Sequence, residues 1–339
     1  MNGLKMYNDV FFIAEAGSNW KISDNEHENF IETKNLIESA KEAGANACKF
    51  QVFRSETTYA YNAGNYGDHG DINKLFNALS LPYHWISELK DYCDKCNIEF
   101  MASVFSVEDA KEVDPYVTKH KVSSYEINHV ELLDYLNTTD KEVIISTGGA
   151  NWQQILFALG HVELPVLMHC TSAYPAPIND VDMMALKVMY DKFGSVGYSD
   201  HTEFNTVIPA MAVALGVHTY EKHFTLNKNA NGPDHKFALD PQELMATINI
   251  IRSAETAMGF GIKSVKESEM PLHKFAHRYV QAIDDIRKGE TLILNDNIAC
   301  LRPGNNQSGA EARFTYYMNF KTAKRDIAKG QGVRLDDIE

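Results

Sequence analysis

The chain has 339 residues, more than one ordinary core needs and enough for two domains. Its formal net charge of −14 argues against nucleic acid or an anionic membrane as the main partner, but local lysines can still hold a small anion. No basic-apolar leader opens the sequence and no apolar run approaches about 18 residues, so no membrane partner is expected. Five cysteines, an odd number scattered along the chain, suit a reducing, cytoplasmic compartment.

Phe11–Ala14 is a short apolar run that ends in Glu15-Ala16-Gly17. A helical pattern follows from about Asn29 to Ala43, stopped by Gly44. Ala47–Phe53 reads as a second strand with Lys49 and Gln51 on one face. A long polar loop with Gly64, Gly67 and Gly70 leads to a helix over Trp85–Cys96. The Cys93–Cys96 pair at its end reads as helix-end packing rather than a metal or redox site. Further strands are expected at Glu99–Ser103, His120–Ser124, Val143–Gly149, Val166–Ser172, Gly194–Tyr198 and Val217–Phe224, with helical segments between them. Asp240-Pro241 then opens a helix carrying Leu244, Ile248, Ile251 and Met258 on one face. Eight strand–helix pairs in roughly 260 residues predict a (β/α)8 barrel over residues 1–263. A doubly wound sheet is the alternative, but the glycine-rich fingerprint it expects after the first strand is missing.

Residues 264–279 are polar and read as a linker. Residues 280–339 hold a near repeat, Asp285-Ile286-Arg287-Lys288-Gly289 and Asp326-Ile327-Ala328-Lys329-Gly330, which predicts a small pseudo-symmetric β-rich module. Arg302 sits between the repeats, before Pro303-Gly304, where it can reach a carboxylate or a sugar.

Polar residues mark the strand ends: Glu15, Lys49, Ser103, Lys121, Ser124, Ser146, His169, Ser199, His201 and His223. Strand C-termini surround the active site in this fold. Burying so many polar groups unpaired costs about 1–3 kcal/mol each, so a catalytic pocket explains them better than packing does. Lys49 and Lys121, with the nearby serines, suit a phosphate and a carboxylate and predict a cationic mouth on an acidic protein. His201 and His223, with a carboxylate such as Glu15, suit a divalent metal with open positions. Next to His223, Glu221 and Lys222 are left as supporting or structural residues.

Longer strings carry a resemblance. They are Ala14-Glu15-Ala16-Gly17, Lys49-Phe50-Gln51, Lys121-Val122-Ser123-Ser124, Ser146-Thr147-Gly148 and His169-Cys170-Thr171-Ser172-Ala173-Tyr174-Pro175. Gly197-Tyr198-Ser199-Asp200-His201, Glu221-Lys222-His223-Phe224, Gly232-Pro233-Asp234-His235 and Arg302-Pro303-Gly304 complete the set. Over nearly its whole length the chain resembles the sialic acid synthase family, the N-acetylneuraminate synthases with their legionaminate and pseudaminate relatives. The resemblance implies a TIM barrel followed by an antifreeze-like (SAF) domain, in a domain-swapped homodimer. It implies condensation of phosphoenolpyruvate with N-acetylmannosamine, or a related N-acetylated amino sugar, with Mn2+ or Mg2+ required. By matched position, it makes His201 and His223 the metal ligands, and Lys49, Ser103, Lys121, Ser124, Ser146 and Ser199 the phosphoenolpyruvate site. Tyr174 and Asp234 then contact the sugar, together with Arg302 of the partner subunit. The chemistry of such a condensation makes Asp234 and Glu15 the catalytic residues, Asp234 at the developing alkoxide and Glu15 at the water or the electron-poor carbon. Trp20 stands where the family usually has His, and Ser172 where some members have Asn. Tyr125 follows Ser124 where many have Gly or Phe, and Gly304–Met318 lacks the usual Gly-Ile. These departures bear on which sugar is accepted. A sugar-phosphate aldolase or isomerase, or a barrel that binds without catalysis, are the competing readings.

Overall fold

The computed structural model describes residues 9–67 and 70–339. The opening residues read for a leader lie outside that range, as do Asp68 and His69 of the glycine-rich loop. Among the described residues no helix is long and apolar enough to cross a membrane.

Strands β1 (Phe11–Gly17), β2 (Ala47–Val52), β3 (Glu99–Val104) and β4 (Lys119–Val122) pair in parallel and in sequence order. Strands β5 (Glu142–Ser146), β6 (Val166–Cys170), β7 (Val196–Asp200) and β8 (Thr219–His223) continue the sheet, and β8 closes on β1. The expected barrel is therefore present. Side chains alternate between its two faces. Outward residues such as Phe12, Phe50, Phe100, Tyr198 and Tyr220 join the large core shared with the helices.

The barrel interior is layered, as the fold requires. At the N-terminal end, Lys119 Nζ lies 4.6 Å from the Phe11 ring centroid and 3.8 Å from both Glu99 and Glu142. Above it, Ile13, Ala47, Met101, Ile144, Val166 and Met168 form a separate apolar plug. One step further along each strand the inward residues become polar. The plug thus gives the functional layer a dry, rigid floor.

The helix capped by Asn25 runs Glu26–Ala43, starting three residues before the sequence pattern does. It ends at Gly44, whose φ of 93° suits glycine. Asp240 caps Pro241–Met258, as expected, and Glu243 makes the cap a reciprocal capping box. The segment read as one long loop after β2 contains two helices, Ser55–Thr58 and Ile72–Leu79. Asp71 caps the second by accepting from the Lys74 N–H. Cys93 is buried and Cys96 partly so at the end of Ile86–Cys96, which fits packing.

The chain divides into two compact units, one ending at Phe260 and the other Gly261–Glu339. Within the second, residues 264–279 carry a turn at Glu267–Glu269 and a helix at Met270–Ala276. Strands β9 (Tyr279–Ala282) and β10 (Ile298–Leu301) pair antiparallel. The near repeat forms a reciprocal lock: the Lys288 N–H donates to Asp326 at 2.7 Å and the Lys329 N–H to Asp285 at 2.8 Å. Ile286 and Ile327 bridge between the turns and are buried in the same small core.

Candidate active site

Lys49, Lys121, Glu15 and Glu221 are each almost fully buried at the mouth of the barrel. Lys49 Nζ lies 2.6 Å from Glu15 Oε2 and 3.6 Å from Glu221 Oε2, and it donates to Ser103 Oγ at 2.6 Å. Lys121 Nζ donates to Ser146 Oγ at 2.6 Å and lies 3.9 Å from Glu221 Oε1. Ser199 donates to the same Glu221 oxygen at 3.0 Å, and Gln51 donates to Glu15 at 2.9 Å. Burial pushes the Glu15 carboxyl up against the pull of Lys49. Burial also raises Glu221, but Lys121 and Lys49 outweigh it and hold that carboxyl below its ordinary value. The floor thus balances two lysines against two carboxylates, and the cationic mouth expected from the sequence is corrected to a charge-paired one. Glu221 provides the balance because it lies two residues before His223 on β8 and so shares its inward face.

Beside the lysines is a shelf of hydroxyl and thiol groups. Ser124 opens a 3-10 turn just after β4, accepts from the Gly148 N–H at 3.2 Å and lies 3.2 Å from Cys170 Sγ. A Cβ on Gly148 would meet Ser172 Oγ at 2.1 Å and Cys170 Sγ at 2.7 Å, so glycine is what lets this shelf close.

The imidazoles of His201 and His223 lie edge to face with ring centroids 5.7 Å apart. His201 Nδ1 is 2.8 Å from the Thr171 carbonyl, which fixes its proton there and leaves a lone pair on Nε2. His223 Nδ1 is buried without a hydrogen-bond partner, 3.7 Å from Asp234 Oδ2. Burial pulls both rings below the usual imidazole range, so both are neutral. Among the described residues no three His, Cys, Asp or Glu side chains form a ready metal cage. Two neutral nitrogens, one of them orphaned, nonetheless fit an open two-histidine cation site whose other positions go to substrate or water. The Tyr174 ring lies tilted against His201 with centroids 4.4 Å apart, and the Phe237 ring lies 5.2 Å from that of His223. Burial, then Glu15, push the Asp234 carboxyl up to about 7. Gly17, at φ 54° and a register shift in β1, lets these acids converge, since a Cβ there would sit 3.3 Å from both Asp234 and Glu15.

Some strand-end residues stay out of the pocket. His169 faces the helices, with Nε2 on the Val181 carbonyl at 2.8 Å, because it alternates with the inward Met168 and Cys170. Lys222 likewise faces outward and pairs with Asp200 at 2.8 Å. Arg302 is exposed in the second unit, directly after β10. Sequence reasoning did not assign Gln51, Cys170 or Glu221 to the site, although period-two alternation from Lys49 and His223 points to the first and last.

Glu126 ends the Ser124 turn, accepts a hydrogen bond from Ser123 and is raised by burial from 4.5 to about 8. Its folded-state value lies above the unfolded one, so stability is lost as pH rises from about 4.5 to about 8. Glu126→Gln is expected to gain about 2 kcal/mol over wild type between pH 5 and pH 8, discounted for partial exposure. Urea unfolding at both pH values checks this, and an equal difference at the two would contradict it.

A closed parallel barrel with its polar layer at the strand C-termini defines the (β/α)8 class with a mouth active site. Within that class the chain belongs to the NeuB family, whose model matches residues 36–263, and an SAF domain follows at residues 277–339. It is 36% identical to the N,N'-diacetyllegionaminic acid synthase of Campylobacter jejuni, over 87% of this chain and 91% of that one. It is 35% identical to the spore coat polysaccharide biosynthesis protein SpsE of Bacillus subtilis, over 97% and 93%. The crystal structure of an N-acetylneuraminic acid synthetase from Leptospira borgpetersenii aligns with TM-score 0.69 and 28% identity, covering 79% of this chain and 91% of that one. The family is thus one of nonulosonic acid synthases.

Proposed function

We propose that this chain condenses phosphoenolpyruvate with an open-chain 2-acetamido sugar, N-acetylmannosamine or a relative, to give a nonulosonic acid and phosphate. The observation that carries the reading is the juxtaposition of two serine-bound lysines with two neutral imidazoles at one barrel mouth. Lys49 and Lys121, with Ser103, Ser124, Ser146 and Ser199, hold the phosphate and carboxylate. His201 and His223 hold a divalent cation, Mn2+ or Mg2+, which when bound supplies Lewis-acid polarisation of the sugar aldehyde. Tyr174 lines the sugar end of the pocket, and Arg302 of the partner subunit contacts the sugar in a domain-swapped homodimer.

The methylene carbon of phosphoenolpyruvate attacks the aldehyde carbon, and the enol carbon is left electron-poor. Asp234, half protonated near pH 7, donates its proton to the developing alkoxide. Glu15, held by Lys49 and Gln51, orients water onto the enol carbon and takes its proton. The tetrahedral adduct then expels phosphate by breaking its carbon–oxygen bond, and the hydroxyl proton passes to the departing phosphate as the keto group forms.

Similarity to the Campylobacter enzyme supports a second reading within the same chemistry, a diacetamido acceptor yielding a legionaminic acid. A sugar-phosphate aldolase is disfavoured, because Lys228, the cation available for a second phosphate, is paired with Glu243 at 2.8 Å. Phosphate release from phosphoenolpyruvate, assayed with Mn2+ and a panel of acceptors, tests the proposal. Release with N-acetylmannosamine supports the first reading, and release confined to a diacetamido sugar supports the second. Release with no acetamido sugar overturns both.

A further inference from the structure

The outer face of the two histidine-bearing strands carries a buried ionic network that the reaction does not touch. β7 and β8 run in register, Ser199 beside Glu221 and Asp200 beside Lys222. The inward members of these pairs line the pocket. The outward pair, Asp200 and Lys222, is buried and meets at 2.8 Å. Each oxygen of Asp200 is used twice. Tyr220 donates to Oδ2 at 2.6 Å alongside Lys222, while the Thr202 N–H and hydroxyl donate to Oδ1 at 2.9 and 2.7 Å. Lys222 also donates to the Thr202 carbonyl at 2.5 Å. The residues on both sides of His201 are thus bound to the residue preceding His223.

Stability alone does not call for this network. A buried ion pair is often no better than apolar residues of the same volume, and the rest of this face is apolar or aromatic. Its geometry has one clear consequence, because it fixes the spacing of the two strand ends from which the imidazoles project. We infer that Asp200 and Lys222 are positioning residues that set the separation of His201 and His223 for a divalent cation. The inference rests on the reading of those histidines as the cation site. Outer groups that orient metal-bound histidines typically change affinity by about 10–100-fold when removed.

The test replaces the pair with apolar side chains of similar size, in the double variant Asp200→Leu with Lys222→Met, beside the milder Tyr220→Phe. Mn2+ binding to the chelator-stripped full chain is measured by electron paramagnetic resonance of the free ion, and thermal unfolding is followed in chelator. The double variant is expected to keep the wild-type melting temperature or exceed it while binding Mn2+ about 10–100-fold more weakly. Tyr220→Phe, which leaves the ion pair in place, is expected to weaken binding in the same direction by a few fold, so the inference stays testable if the double variant does not fold. Wild-type Mn2+ affinity in a folded double variant, or in Tyr220→Phe should the double variant not fold, overturns the positioning role and leaves the cation site intact. Absence of Mn2+ binding by the wild type overturns the cation site and this inference with it.

Discussion

His223→Ala is expected to lower turnover by roughly a thousandfold at saturating substrates and excess Mn2+, equivalent to about 4 kcal/mol of barrier. The ring is buried between Tyr174 and Phe237, and its Nδ1 has no protein partner to compensate. Removing it takes one of the two nitrogens offered to the cation and an imidazole that lies 3.7 Å from Asp234. The lysine floor lies on other strands, so phosphoenolpyruvate binding should survive and the loss should fall on turnover rather than on KM. Near-normal phosphate release by the folded variant would remove the basis for the proposed chemistry.

Glu221→Gln is expected to cost about 3–5 kcal/mol of stability in the ligand-free protein, because it leaves Lys49 and Lys121 short of the carboxylate they share. The same change makes the pocket cationic. Phosphoenolpyruvate should therefore raise the melting temperature of the variant more than that of the wild type. Urea unfolding and thermal shift with and without phosphoenolpyruvate measure both effects. Equal ligand-induced shifts in the two proteins would mean that Glu221 does not face the anion site.

Much of this was legible from chain-local patterns. The barrel followed from eight apolar runs separated by helical segments, and the site from the polar residue closing each run. Alternation decides which of those residues enter the pocket. His169 closes an apolar run like the pocket residues, yet Met168 and Cys170 flank it on the inward face. Glu221 sits in a dense charged string with Lys222, and only its shared face with His223 marks it as a pocket residue. The helix Ile72–Leu79 was hidden by the glycines before it, which suggested loop more strongly than its apolar spacing suggested helix. The ion pair of Asp200 with Lys222 and the clamp around it depend on register between strands, which a single strand's pattern does not encode.

In the proposed reaction, carbon–carbon bond formation from phosphoenolpyruvate occurs at this barrel mouth. Its most direct test is nuclear magnetic resonance of a reaction with phosphoenolpyruvate isotopically labelled at its methylene carbon, an acetamido sugar acceptor and Mn2+. The label is expected in a methylene group bonded to the former aldehyde carbon. Label recovered only in unreacted phosphoenolpyruvate or in the methyl group of pyruvate would contradict it.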